Sequence, residues 1–230
     1  MRTMFLFLLL VIFSFFSLPA EALAFGPGVH LELALKLLER FSELKGPLGF
    51  AFLYGNIAPD FFVSSAALKA LFHTEKAYQK LLRKADNPFT SAFAQGFGTH
   101  LEADQFAHER LIPAFKRRLE LPLRLIHYYF EWTLERNRAS YWYFLRGILT
   151  WPGHRKLDQF LIRAFELDPR QLLTRKWVSF TGYRLFKIKR RLPPTNLAIL
   201  FERRFQSTLP RCLGRMETLL TSLEDKRCEL

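Results

Sequence analysis

The sequence contains little cysteine and no stretch typical of a linker. Two cysteines in 230 residues exclude a disulfide framework and a thiolate zinc cluster. One pair remains, Cys212 with Cys228, which an oxidising compartment would allow to form a disulfide that fastens the C-terminal tail. The 12 prolines and 11 glycines are scattered along the chain, so its length favours one domain with a sizeable core.

Long apolar runs are also scarce, and the one that is present lies at the N-terminus. Arg2 precedes an apolar stretch over 4–18, and small residues at alternating positions follow it up to Ala24. This is the order of a secretory signal, and the stretch is shorter than the roughly 20 residues that span a bilayer. We therefore predict a signal peptide over 1–24, cleaved after Ala22 or Ala24, and an exported protein, periplasmic or secreted. An uncleaved anchor is the alternative.

The rest of the chain shows helical periodicity. Apolar residues recur at three- and four-residue spacings, first in the stretch 30–44 and then in seven further stretches. Turn-forming pairs such as Gly46-Pro47 and Asn87-Pro88 separate the stretches, and strand-like alternation is rare. The pattern predicts an all-α fold, a single compact multi-helix domain over 25–230.

The histidines are few, and several of them share a helical spacing with acidic residues. In GTHLEADQFAHE, His100, Asp104 and His108 follow one another at intervals of four, which predicts a common helix face. In HYYFE, His127 and Glu131 have the same spacing. Imidazole nitrogen and carboxylate oxygen are zinc ligands, so two such faces meeting in the core would form a metal-rich cleft. The alternative for the first face is an exposed polar stripe.

A further carboxylate, Asp60, lies in the segment GNIAPDFF, where Gly55 and Pro59 predict a fixed turn. Asn56 either orients this loop or only favours the turn. The other polar residues near these motifs are predicted to be solvated or structural: Glu102, Glu109, Glu135 and His154.

These residues resemble the zinc-dependent phospholipases C and the single-strand-specific zinc nucleases that share their trinuclear, all-α fold. The ligands of that family follow a fixed order along the chain, from the N-terminal residue to a final His-x3-Glu or His-x3-Asp. The same order of residue types occurs here over about 25–131: Phe25, His30, Asp60, His73, His100, Asp104, His108, His127 and Glu131. The resemblance implies up to three zinc ions in a metal-site part over about 25–135, followed by a basic helical part over about 136–230.

The resemblance also implies a role for each residue. One zinc would be bound by Asp60, His73, His100 and Asp104, and Asp104 would bridge to a second zinc held by Phe25 and His30. A third zinc would be held by His108, His127 and Glu131. Asp60 would in addition take a proton from the attacking water, which makes it the predicted catalytic residue.

The chain departs from the family pattern at its first ligand and at one spacing. The family usually begins with tryptophan, whereas Phe25 keeps the amino and carbonyl ligands and changes the ring. The interval from Asp104 to His108 is four residues, shorter than the usual six. FGPGVH resembles the nucleases, whereas the final Glu131 resembles the phospholipases. Because an α-amino group must lose its proton to bind metal, coordination by Phe25 requires cleavage after Ala24.

Acidic residues are scarce as well, 21 against 34 basic residues, which gives a net charge of +13. Much of the excess lies between Arg170 and Arg191, a stretch with eight basic residues, no acidic residue and four interleaved aromatic residues. Such a segment binds an anionic lipid surface or a nucleic-acid backbone, or it is a solvated helix whose aromatic residues belong to the core.

Together these features predict an exported zinc-dependent phosphodiester hydrolase. Clustered divalent cations activate water and clamp the oxygens of a phosphoryl group. A phospholipase C-like enzyme is the prediction, with phospholipid favoured over nucleic acid as the anionic phosphodiester substrate and with peripheral binding to a membrane surface. The alternatives are a single-strand-specific zinc nuclease and a non-catalytic, metal-stabilised membrane-associated protein. The sequence leaves the oligomeric state open.

Overall fold

The computed structural model describes residues 25–62, 65–119, 122–138, 140–177 and 195–228, and these residues form helices joined by short turns. No strand occurs in this part of the chain, and the all-α prediction is confirmed. In chain order the helices are α1 Pro27–Leu38, α2 Pro47–Ile57, α3 Ala66–Phe72, α4 Glu75–Lys84, α5 Pro88–Phe106, α6 Ile112–Leu119, α7 Leu123–Asn137, α8 Tyr141–Thr150, α9 His154–Phe165, α10 over 169–177 and α11 Asn196–Cys228. A 3-10 turn, Pro59–Phe62, follows α2, and a π-helical turn, Ala107–Leu111, joins α5 to α6.

Three helices begin where the sequence places proline after a turn residue. Pro27, Pro47 and Pro88 each stand in the first turn of their helix, where the missing N–H leaves no hydrogen bond unmade. Asn87 also caps α5, and its side chain accepts hydrogen bonds from the backbone N–H groups of Phe89 and Thr90. Local sequence therefore determines where α5, the helix that carries His100 and Asp104, begins.

The centre of the molecule is a backbone-to-backbone contact between α2 and α5. A Cβ atom at Gly55 would lie 2.0 Å from the carbonyl oxygen of Phe93, and one at Gly96 would lie 1.9 Å from that of Phe52. Only glycine permits this approach. The expected turn at Gly55 is therefore wrong in position, because α2 continues to Ile57 and the turn begins at Pro59.

Aromatic packing joins the C-terminal helix to the start of the described chain. The ring of Phe25 is fully buried and packs against Phe130 on α7 and Phe205 on α11. The C-terminal region, to which the resemblance assigns no role, thus contributes to the core around the first predicted ligand.

The two cysteines lie on the same helix, α11, which continues through Pro210. Sixteen residues at the helical rise separate them by about 24 Å, whereas the Cα atoms of a disulfide lie within about 7 Å of each other. The helix therefore excludes the disulfide within one chain, and Cys212 is a buried free thiol.

Candidate metal centre

Five of the predicted ligands meet where α1, α3, α5 and the 3-10 turn come together. α1 carries His30, the 3-10 turn carries Asp60, His73 ends α3, and α5 carries His100 and Asp104. Their potential ligand atoms form two overlapping groups: His30, His100 and Asp104, and Asp60, His73 and His100. Within each group these atoms lie within 4.8 Å of one another.

The distances within this cluster fit a metal ion better than direct hydrogen bonds. Asp104 Oδ1 lies 3.3 Å from His30 Nε2, and Asp104 Oδ2 lies 3.5 Å from His100 Nε2. Asp60 Oδ1 lies 3.8 Å from His100 Nε2 and 3.9 Å from His73 Nε2. Hydrogen bonds of this type are about 2.7–3.2 Å long. Ligands at about 2.1 Å in a tetrahedron around zinc are separated by about 3.4 Å, close to the observed values.

Hydrogen bonds behind the cluster orient two of the imidazole rings. His100 Nδ1 lies 2.8 Å from the carbonyl oxygen of Asn56, and His73 Nδ1 lies 3.3 Å from that of Lys69. A carbonyl only accepts, so Nδ1 carries the proton and Nε2 presents its lone pair to the cluster. Both Nε2 atoms are buried and make no hydrogen bond within the described part of the chain. Orphaned lone pairs of this kind fit zinc ligation.

Asn56 has a structural role beyond a turn. Its side chain donates to the carbonyl oxygen of Gly96 at 3.2 Å and to Thr99 Oγ1 at 2.7 Å. Because Asn56 lies one turn before Asp60 and bonds to α5 one turn before His100, it couples the two ligand-bearing elements. Of the two alternatives for Asn56, orientation of the Asp60 segment agrees with these contacts.

The backbone of Phe25 reaches the same cluster. Its nitrogen donates a hydrogen bond to Asp104 Oδ1 at 3.2 Å, and its ring contacts that of His30 edge to face. The atom that cleavage after Ala24 would convert into an α-amino group therefore lies beside the predicted bridging carboxylate.

Charge in the cluster is strongly polarised. Burial alone would lower the pKa of His30, but the neighbouring carboxylate of Asp104 outweighs burial and raises that pKa above its ordinary value. Burial and the neighbouring His30 lower the pKa of His100. Despite its own burial, the pKa of Asp104 lies well below its usual range because His100 and His30 stabilise the carboxylate. A metal ion bound here would require the neutral form of His30.

The remaining three predicted ligands lie outside this cluster and differ from one another in burial. His108 falls in the π-helical turn and is exposed, whereas His127 and Glu131 on α7 are buried. The His108 and His127 rings lie 5.0 Å apart. His108 therefore lies beside His127, as its predicted ligand group requires, and its common face with His100 and Asp104 stays a prediction, since a π-helical turn follows Phe106. Neither potential ligand group includes these three residues.

Glu131 nevertheless faces the buried cluster. Its pKa is raised well above the ordinary value, first by burial and then by the neighbouring carboxylates of Glu135, Asp60 and Asp104. Nearby carboxylates repel one another, and a divalent cation bound at the cluster would relieve that repulsion. This arrangement links α7 electrostatically to the predicted ligands on α5 and the 3-10 turn.

Glu135, predicted to be solvated, is buried with 2% exposure. Its carboxylate accepts hydrogen bonds from the backbone N–H groups of Gly28 and Val29 at 3.0 and 2.8 Å, at the N-terminus of α1. A Cβ at Gly28 would lie 2.6 Å from Glu135 Oε2, which explains the glycine in FGPGVH. The spacing Glu131-x3-Glu135 could have identified this residue, since it lies one turn beyond a predicted ligand.

One lysine of the basic C-terminal stretch is partly buried. Lys176 on α10 donates to Asp158 Oδ2 at 2.7 Å, and Tyr54 donates to the other oxygen of the same carboxylate. The ammonium group also lies 5.7 Å from the ring centre of Phe61, the residue after Asp60. These contacts of Lys176 hold α10 near the 3-10 turn. Lys176 is therefore not a solvated or lipid-binding side chain. Residues 178–194 of the stretch and the predicted signal over 1–24 lie outside the described residues.

His154 has the predicted structural setting. Its Nδ1 lies 2.6 Å from the carbonyl oxygen of Trp151, at the start of α9.

Among the described residues, no helix combines the length and the apolar character that crossing a membrane requires.

Comparison with known proteins identifies the family. The model of a family described as zinc dependent phospholipase C matches residues 29–177, which is more than half of the chain. No curated protein and no solved structure gives a significant match. The family match confirms the resemblance stated from the sequence, with zinc as the cofactor and a phospholipase C-type hydrolase as the class of protein. On this basis, the chain belongs to the zinc-dependent phospholipase C family.

Proposed function

We propose that the protein is an exported hydrolase that cleaves the phosphodiester bond of phospholipids at the buried cluster. The observation that carries this proposal is the convergence of His30, Asp60, His73, His100 and Asp104 at zinc-like spacings, in a chain of this family. The ligand set has the nitrogen and oxygen donors that zinc prefers.

The residues of the cluster would have different roles in the reaction. When bound, zinc lowers the pKa of a bound water toward 7 and stabilises charge on the phosphoryl oxygens. Asp60, fully buried beside both His73 and His100, would take the proton of the attacking water. The hydrogen bond to Asn56 keeps the His100 ring in one orientation and in one tautomer.

Access to solvent favours a catalytic over a purely structural centre. The side chains of His30, Asp60 and His100 are fully buried, whereas those of His73 and Asp104 are 14% and 10% exposed. A structural zinc site is closed, while a catalytic one keeps a position open to water and substrate. The exposed edge at His73 and Asp104 is where we place the phosphoryl group.

The position of Phe25 supports export with cleavage after Ala24. In an uncleaved chain its nitrogen is an amide and binds no metal; after cleavage it becomes an amine beside Asp104, which binds metal once it has lost its proton. Protein beginning at Phe25 should therefore hold one zinc more than protein that keeps Ala24. Equal zinc content in the two forms would contradict this role of the N-terminus.

The test of the proposed function compares two substrates and two variants. Zinc-loaded protein should release a phosphorylated head group and diacylglycerol from phosphatidylcholine, and Asp60→Asn should reduce the rate by more than about 100-fold. Asp86→Asn, at an exposed position outside the cluster, is the matched control and should keep full activity. Nucleotides released from single-stranded DNA would instead favour the nuclease. Neither product from fully zinc-loaded protein would favour the non-catalytic alternative.

A further inference from the structure

A groove lined by arginine lies between the π-helical turn with α6 on one side and α11 on the other. Its volume is about 600 Å³, and five arginines line it against one glutamate, Glu109: Arg110, Arg117, Arg204, Arg211 and Arg215. The arginines recur at helical spacings of seven and four on the two facing helices, so each helix turns one basic face toward the groove. We call it the arginine groove.

Only one of these arginines is neutralised within the described part of the chain. Arg215 pairs with Glu102 and donates to Glu109 Oε2 at 2.8 Å. Arg110, Arg117, Arg204 and Arg211 are exposed, and none of them forms an ion pair with a described residue. Guanidinium groups that outnumber the carboxylates around them repel one another, and the planar guanidinium group matches the oxygens of phosphate.

We propose that the arginine groove binds the phosphate-bearing head group of an anionic phospholipid in a bilayer. The groove shares the α5 to α6 segment with the metal centre, because Phe106 and Glu109 line it and Asp104 and His108 are their neighbours in sequence. Basic pockets at a membrane surface bind anionic head groups. The proposal rests on the proposed function, whose substrate is a phospholipid, and names the surface that holds the protein on the bilayer.

The lining of the arginine groove favours lipid over nucleic acid. Proteins that bind single strands stack bases on accessible aromatic rings. The one aromatic residue among the described lining residues, Phe106, is 3% exposed and lies beneath the guanidinium of Arg215 at 5.9 Å. The groove therefore offers guanidinium groups that can bind phosphate, but no accessible aromatic ring on which a base could stack.

The test measures binding to vesicles with two charge-matched double variants. Arg204→Gln/Arg211→Gln removes two exposed charges from the groove. Arg83→Gln/Arg155→Gln removes two exposed charges from α4 and α9, outside it. With vesicles of phosphatidylcholine containing phosphatidylglycerol, we expect the groove variant to lose about 30-fold in partition coefficient, since each basic residue at the surface contributes about 5-fold. The control variant should lose less than about 2-fold. Equal losses in both variants, or no loss in either, would overturn the proposal.

Three further readouts distinguish bilayer binding from binding of free phosphate, binding of nucleic acid and loss of folding. Inorganic phosphate should release the protein from vesicles no better than sodium chloride of equal ionic strength; stronger release would assign the groove to free phosphate and overturn bilayer binding. Loss of affinity for a single-stranded oligonucleotide with vesicle binding retained would overturn the choice of lipid. Zinc-dependent hydrolysis of a monomeric short-chain phosphatidylcholine should be unchanged in the groove variant, which shows that it is folded. Absence of that hydrolysis in the wild type would refute the proposed function and leave the vesicle comparison valid.

Discussion

The two sets of predicted ligands differ in how the fold holds them. His30, Asp60, His73, His100 and Asp104 lie where three helices and a 3-10 turn meet, with hydrogen bonds behind two of the rings. The set of His108, His127 and Glu131 combines two buried side chains on α7 with one exposed side chain in the π-helical turn. The two sets contain the same residue types, so the difference between them lies in packing: the first set is already in place without metal, whereas the second must be brought together by a metal ion. We therefore expect the first set to bind zinc more tightly than the second.

The largest effect should come from breaking the helix contact beneath the buried set. Gly96→Ala places a Cβ atom 1.9 Å from the Phe52 carbonyl oxygen, so α2 and α5 must move apart. We expect a loss of at least about 3 kcal/mol in the free energy of unfolding, measured by urea titration. Gly147→Ala in α8, where nothing lies within 4 Å of the new atom, is the control and should gain up to about 1 kcal/mol. Similar values for both variants would contradict the close approach.

The difference between the two sets is tested by removing one histidine from each. His100→Ala should remove zinc and reduce phospholipid hydrolysis by more than about 100-fold, beyond what loss of an outer hydrogen bond causes. His108→Ala should reduce hydrolysis by less than about 10-fold, because His108 is exposed and outside the close groups. Zinc content after dialysis and initial rates measure both effects. A larger loss in His108→Ala would invert the ranking of the two sets.

Glu135 connects the two sets, and its effect depends on pH. Burial raises its pKa to about 7 from 4.5, although the Val29 and Gly28 amides and Arg138 oppose the shift. The folded state therefore holds this proton more tightly than the unfolded state, and stability is lost as pH rises from about 4.5 to about 7. For metal-free protein the contribution is about 3 kcal/mol.

Glu135→Gln should remove that part of the pH dependence. Unfolding free energies of chelator-treated protein at pH 5 and pH 8 measure the slope, and Glu43→Gln, at an exposed position, is the control that should keep it. An unchanged slope in Glu135→Gln would show that this carboxyl group is not the source.

The smallest effect concerns the polar bridge between α2 and α5. Asn56→Ala removes two buried hydrogen bonds, to Thr99 Oγ1 and to the Gly96 carbonyl oxygen, which keep only the bond between them, and should cost about 1–3 kcal/mol. Asn137→Ala, which removes an exposed hydrogen bond to Glu202, should change stability by less than about 0.5 kcal/mol. Equal thermal midpoints for the two variants would argue against a structural role for Asn56.

Spacing along the chain was sufficient to predict helices and the order of ligand types. Both depend on local sequence: residues at positions i and i+4 share a helix face, and proline or asparagine marks where a helix begins. It was sufficient to expect His100 and Asp104 on one face. It did not predict that α5 continues into a π-helical turn, which leaves His108 exposed. The backbone conformation at that point depends on packing between distant helices.

Long-range packing also determines which charged residues are buried and which partners they bind. Glu135 and Lys176 look solvated in sequence, and each finds a buried partner more than 15 positions away, Gly28 and Asp158 respectively. The arginine groove could not be predicted for the same reason, since Arg110 and Arg204 line one groove only when α11 packs against α5 and α7. Such pairings require the tertiary structure.

The most direct test of the proposed metal centre is the position of zinc in crystals of the zinc-loaded protein, located by anomalous scattering at the zinc edge. We predict a peak about 2.0–2.2 Å from Nε2 of His73 and of His100 and from carboxylate oxygens of Asp60 and Asp104. Zinc found only elsewhere, with these side chains hydrogen-bonded to one another, would contradict the proposed centre.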